Sequence, residues 1–260
     1  TEGQQWMIRG QTFDHSSVGR EIARSSSPAA TVELAKLTAQ FKGPRQAERQ
    51  TMALRIAGKA APLAGNRHFW RSDFMAHHRA KYYSSVKMAS HRILASESGN
   101  KENIRGYYLG QGVQLIYRTG NEYKNIFPVW DWRRLPGHLC EQTSEPLPLI
   151  DWGKTARGNT AFVGGVSDGI YGLAAYDYQR DNVRAKRAWF HFDDEIVCLG
   201  AAISCTGDNP LYQSINQCHG KGEVLASEES HSQILPKGQH SLPKARWVLH
   251  DSVGYYFPEN

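Results

Sequence analysis

No run of eighteen apolar residues occurs in the 260-residue chain, so a membrane-spanning helix is excluded on length. Cysteine is scarce: Cys140, Cys198, Cys205 and Cys218 have neither the paired spacing of a zinc site nor the density of a disulfide scaffold. Free buried thiols are expected, with a Cys205 to Cys218 bridge as the alternative in a secreted protein. Nucleotide signatures are missing too. Gly110-Gln111-Gly112 is not followed by the third glycine and helix of a dinucleotide fold, and no P-loop occurs. A serine-based hydrolytic triad is not expected. The chain starts Thr-Glu-Gly-Gln-Gln-Trp, without an initiator Met or an apolar leader, so any export signal is expected to lie upstream or to have been removed.

Acidic residues are thin in one stretch. From Lys42 to Arg105 there are thirteen Lys/Arg against four Asp/Glu, a local charge of +9 in a chain of net +6, which leaves the remainder at −3. Such a block predicts a polyanionic partner: nucleic acid, acidic polysaccharide or anionic lipid. Otherwise the composition is that of an ordered protein, with 40% hydrophobic and 11% aromatic residues. At this length one large all-β domain or two smaller domains fit equally.

Periodicity divides the chain. Ser27-Pro28 reads as an N-cap and first helical residue, and Val32, Leu34, Leu37 and Phe41 continue an amphipathic helix to Gly43-Pro44. A second helix is predicted over about 45–60. Beyond Arg67 the period shortens. Residues 82–94 and 107–118 read as strand runs, with Val113, Leu115 and Tyr117 alternating strictly, and further strands are predicted at 160–164, 169–178, 187–192, 195–204, 212–217 and 246–250. Strands without intervening helices predict an antiparallel sandwich.

Between the first two strand runs lies the most polar stretch, His91 to Gly112. It gathers Glu97, Glu102, Asn100, Asn103, His91, Arg92, Lys101, Arg105 and the pair Tyr107-Tyr108. A loop of this composition on a rigid scaffold suits an anionic ligand, although turn residues also collect in ordinary hairpins. Trp70, Tyr82, Tyr83, Tyr107, Tyr108, Trp130 and Trp132 lie in or near the basic block. Aromatic faces beside Arg suit a sugar or single-stranded nucleic-acid groove, and the competing reading places half or more of them in the core. No nucleic-acid module accompanies them, which favours polysaccharide. His77-His78 reads as packing or hydrogen bonding rather than metal binding, and Asp193-Asp194-Glu195 as an acidic turn between strands.

Three segments carry a family likeness: Arg-Ile-Leu-Ala-Ser-Glu-Ser-Gly-Asn-Lys-Glu-Asn-Ile-Arg-Gly-Tyr-Tyr-Leu (92–109), Asn-Ile-Phe-Pro-Val-Trp-Asp-Trp-Arg-Arg-Leu-Pro-Gly (125–137) and Ala-Trp-Phe-His-Phe-Asp-Asp-Glu-Ile-Val-Cys-Leu-Gly-Ala-Ala-Ile-Ser (188–204). In this order they resemble the central domain of polysaccharide lyase family 8, the chondroitin, hyaluronate and xanthan lyases. The resemblance implies a mainly β fold, a large antiparallel super-sandwich of galactose-mutarotase type preceded by a short helical segment. It implies residues 1–65 as the end of an N-terminal helical toroid with linker helices, and 66–260 as a sandwich truncated at its C-terminal end.

Family members cleave uronate-containing polysaccharides by β-elimination. The resemblance implies Arg20, Arg24, Glu97 and Asn100 as catalytic residues, with Glu102 as an alternative to Glu97. It implies Glu102, Asn103, Arg105, Trp130 and Trp132 as substrate-binding, and neither a protein-bound metal nor a cofactor, a role for calcium being open. The family's proton-transferring His and Tyr lie on the toroid, before Arg20, so this chain alone is expected to be inactive. The implied partners are an acidic polysaccharide and the upstream toroid, with no nucleic acid or membrane, in a secreted or periplasmic setting. A non-catalytic polysaccharide-binding module is the alternative, and a nucleic-acid binder ranks third.

Overall fold

The computed structural model describes residues 2–17, 19, 28–150, 157–228 and 231–258, which fall into two units, 1–217 and 218–260. The first opens with α1 (Glu2–Gln5) and the two-stranded hairpin β1 (Ile8–Arg9) and β2 (Thr12–Phe13), then continues through α2 (Pro28–Gln40) and α3 (Gln46–Ile56). Proline suits the first position of α2 because its fixed φ is helical and the N–H it lacks would be unbonded there. The predicted second helix ends early. Gly58 takes a left-handed φ of 69°, its N–H reaches Arg55 O, and the Lys59 N–H reaches Leu54 O, the paired bonds of a Schellman stop. The helices bury Ala35, Met52 and Ile56 against Ile8 of the hairpin.

A four-stranded antiparallel sheet follows in chain order: β3 (Gly65–Phe69), β4 (Phe74–His78), β5 (Tyr83–Lys87) and β6 (Val113–Tyr117). The short β7 (Leu139–Glu141) comes next. A second antiparallel sheet holds β8 (Val163–Ser167), β9 (Gly172–Arg180), β10 (Val183–His191) and β11 (Ile196–Cys205), again in sequential order, and β12 (Leu211–Gln213) returns to pair with β7. Along β10 the residues alternate: Val183, Ala185, Arg187, Trp189 and His191 are buried while Arg184 and Lys186 are exposed. The buried set meets Met75, Val86, Met88, Leu139, Val163, Ala174, Tyr176 and Tyr178, so the two sheets form a sandwich around one core.

Strands β4 and β5 are buried on both faces. The second cover is the N-terminal segment. Asp14 accepts hydrogen bonds from the Tyr83 and Ser85 hydroxyls, and His78 Nε2 donates to Trp6 O. In the second unit, β13 (Val224–Glu228), β14 (His231–Leu235), β15 (Ala245–His250) and β16 (Val253–Tyr256) form one antiparallel sheet in the order β14-β13-β15-β16. The fold is thus mainly β, as the sequence implied, with β1, β2, β3, β4, β7, β13, β14 and β16 added to the predicted strands. All four thiols are free, and only Cys140 is buried; Cys198 is exposed on β11, contrary to the expectation of uniformly buried cysteines.

Candidate functional site

The polar stretch 91–112 belongs to the connection 88–112 between β5 and β6, and its base is held by one buried carboxylate. Asp73, in the turn after β3, is 1% exposed. Its Oδ2 accepts the Ser90 N–H at 2.6 Å and its Oδ1 pairs with the Arg92 guanidinium at 3.2 Å. His91 N–H donates to Thr160 O, and Arg157 donates to the carbonyls of His91 and Arg92. The far end is held by a second carboxylate. Tyr107 and Tyr108 donate to the two oxygens of Asp181, at 2.6 and 2.7 Å, in the turn between β9 and β10, with the Arg180 guanidinium 4.2 Å from the Tyr107 ring centre. Burial, aided by this carboxylate, pushes the Tyr107 hydroxyl up to about 12 and raises Tyr108 further.

Between these anchors the chain makes a tight reversal. Gly99 and Glu102 exchange backbone hydrogen bonds, while Asn100 (φ 52°) and Lys101 (φ 63°) both take left-handed conformations, the signature of a two-residue hairpin turn. Asn tolerates that conformation, so the turn itself explains part of the choice at position 100. Asn100 is exposed at the tip, and Glu97 and Glu102 are half-buried on either side. Asn103 faces inward: its Nδ2 donates to Ser96 Oγ and Glu97 O, and it packs so closely on Gly106 that a Cβ there would collide. Asn103 is therefore an internal staple that fixes the Glu97 backbone. Arg105 is exposed.

The structure thus brings Glu97, Asn100 and Glu102 onto one narrow hairpin presenting carboxylates beside an amide. Arg20 and Arg24 lie outside the described residues. Trp130 and Trp132 are corrected: they are 3% and 7% exposed, stacked edge-on at 5.4 Å, and packed with Phe127, with His15 against Phe127 and Trp130. Their indole N–H groups are spent on Gln217 O and Phe127 O. Buried faces cannot stack on a sugar, so these indoles are core. Tyr83 is likewise fully buried, whereas Trp70 is open to solvent beneath Arg71.

The basic block is not one continuous stripe either. Arg79 and Lys81 pair with Asp193 and Asp194 in the acidic turn between β10 and β11, and buried Lys87 donates to Ser72 O and Met88 O, burial lowering its pKa to about 8. His77 bonds Asn66 and Phe192 O, and burial lowers it to about 4; His78 falls to about 3 for the same reason. Among the described residues no group of three His, Cys, Asp or Glu could hold a metal. Gly165-Val166-Ser167-Asp168-Gly169 has the spacing of a serine nucleophile elbow, but it joins strand to strand and Ser167 Oγ donates to Asn66 O. The residues sequence reasoning missed are the anchors Asp73, Arg157 and Asp181. Asp181-Asn182 between two alternating runs was a hairpin signal, but no local pattern identifies its partners.

A family model described as polysaccharide lyase family 8, super-sandwich domain, matches residues 64–260. Chondroitinase-AC of Pedobacter heparinus is 42% identical over 97% of this chain and 37% of its own length. A hyaluronate lyase of Thermasporomyces composti is 31% identical over 74% of this chain and 26% of its own. A solved chondroitinase AC lyase, studied with bound oligosaccharides, superposes with a TM-score of 0.89 at 35% identity, covering 99% of this chain and 39% of that one. The chain spans well under half the length of these relatives.

Proposed function

The chain belongs to polysaccharide lyase family 8, and from that premise we propose that it is the sandwich part of an enzyme that cuts uronate-containing acidic polysaccharide by β-elimination. The observation that carries this reading is the 97–102 hairpin, with Glu97 and Asn100 on a turn braced at both ends by buried or doubly bonded carboxylates. Elimination removes the C5 proton beside a carboxylate, and the resulting carbanion forms only if that carboxylate's charge is offset by positioned donors in a water-poor cleft. Here the Asn100 amide offers donors, Glu97 orients neighbouring groups, and Arg20 and Arg24 supply positive charge. Glu102 and Arg105 flank the substrate path.

The proton-moving groups belong to a helical domain ahead of residues 1–65, so this chain alone has no turnover. The setting is secreted or periplasmic; no helix among the described residues is long and apolar enough to cross a membrane. The test joins the chain to its upstream sequence and assays chondroitin and hyaluronan. Release of products carrying the conjugated unsaturated uronate supports the reading, with Asn100→Ala lowering kcat by about 10²-fold or more. Reducing ends without that chromophore would mean hydrolysis and overturn it. Retained affinity with no turnover in the longer protein would make this a binding module instead.

A further inference from the structure

A cavity of about 360 Å³ lies away from the 97–102 hairpin, where α1, the β1–β2 hairpin, the end of α3 and the end of β6 meet. Three guanidiniums line it, Arg9, Arg55 and Arg118, together with the apolar Met52, Ile56 and Leu63, and its lining holds no carboxylate. Arg9 is 8% exposed. It donates to the carbonyls of Arg118, Arg79 and Ala80, which orient the guanidinium without neutralising it. The acidic group acting on it through space is Glu122, whose carboxylate is already bonded to Thr119 and Gly120 N–H groups. Arg55 spends Nε on Ala61 O and Nη1 on Gln5 Oε1. Neither Arg9 nor Arg55 pairs with a carboxylate among the described residues, and Arg55 Nη2 has no partner among them.

Charges taken out of water are ordinarily paired, because their desolvation is otherwise uncompensated. Of the three, Arg9 is buried while Arg55 and Arg118 are half-buried; the space beside them is open, and a free sulfate would leave most of it unfilled, since one water occupies about 30 Å³. We propose that this cavity binds a small organic oxyanion: a sulfate or carboxylate held by Arg55 and its neighbouring guanidiniums, with the carbon body against Met52, Ile56 and Leu63. The inference does not depend on the lyase reading, since it concerns binding by this chain alone.

The test is calorimetric titration of the 260-residue chain with glucose 6-sulfate, glucuronate, glucose and inorganic sulfate. Saturable binding of at least one of the two charged sugars is expected, tighter than inorganic sulfate, with glucose silent. Arg55→Met should weaken it about tenfold or more, the loss of a charge-assisted hydrogen bond. Leu63→Trp, which fills the cavity with every charge retained, should abolish it, and Lys186→Gln on the exposed side of β10 should leave it unchanged. Thermal melting confirms that each variant is folded, and Arg9 is left intact because it also ties backbone. Absence of saturable binding by either charged sugar, equal affinity for inorganic sulfate, or binding indifferent to Leu63→Trp would each overturn the proposal.

Discussion

Two long connections leave the ends of β6, residues 88–112 before it and 118–138 after it, and they use similar residue types in opposite ways. The first keeps its polar tip in solvent and is held from outside by Asp73 and Asp181. The second turns its aromatics inward: Tyr123 is fully buried, its hydroxyl accepting the Ile116 N–H and donating to Asn216, and Trp130 and Trp132 close around Phe127. One loop is held by hydrogen bonds at its two ends, which leaves its tip open to solvent. The other is made rigid by packing, and its indoles have no face left to offer. A loop's likeness to a site therefore depends on whether its order comes from anchors at its base or from burial of its own side chains.

The sharpest way to break this contrast is Trp130→Ala. Removal of a fully packed indole is expected to lower the unfolding free energy by about 3–5 kcal/mol, read from the midpoint of urea unfolding. An unchanged midpoint would mean that Trp130 is a surface platform after all. Asp73→Ala should come next, costing about 3 kcal/mol, because Arg92 and the buried Ser90 N–H lose their acceptor. Its effect should concentrate in the first connection, with amide hydrogen exchange accelerating from residue 90 onward and the Trp130 region unaltered.

The alternating strands were legible in the sequence and the anchors were not. Along β10 one face is buried and the other is more open, so the period of two survives; on β6 it is blurred, with Gln114 buried and Ile116 half-buried. On β4 and β5 it vanishes, because His77, His78, Ser84 and Ser85 sit in the interior, several of them bonded to segments distant in sequence. The family likeness located the hairpin of Glu97 and Asn100, but the same likeness nominated Trp130 and Trp132, since an indole in a polar loop and an indole in a core read identically in sequence. Asp73 and Asp181 act on residues 17 to 74 positions away, beyond the reach of any local pattern.

One residue joins the two connections and makes the comparison sensitive to acid. His138, at the end of the second, bonds through Nδ1 to Gln111 O near the end of the first, and burial together with the Arg187 charge lowers its pKa to about 3. The unfolded chain protonates this imidazole near 6.5 and the folded protein does not, so below that pH the unfolded state binds more protons. Stability from His138 is complete above about 6.5 and is lost as pH falls toward 3, at up to about 1.4 kcal/mol per pH unit. Buried His78 and His191, also lowered to about 3, act in the same direction. His138→Gln should flatten the acid limb of a plot of stability against pH; an unaltered slope would show that His138 does not resist protonation in the fold.

The smallest stability effect belongs to the tip, and it separates a turn from a ligand-facing amide. Asn100→Gly keeps a residue at ease with φ near 52°, so the unfolding midpoint should move by no more than about 0.5 kcal/mol, whereas Asn100→Ala should cost about 1 kcal/mol from left-handed strain. If Asn100 serves only the turn, the glycine variant joined to its upstream sequence retains full turnover. If its amide meets the uronate, that variant loses turnover while remaining as stable as the parent. Loss in the alanine variant alone would assign the residue to the turn, and Glu97 would then carry the hairpin's share of the chemistry.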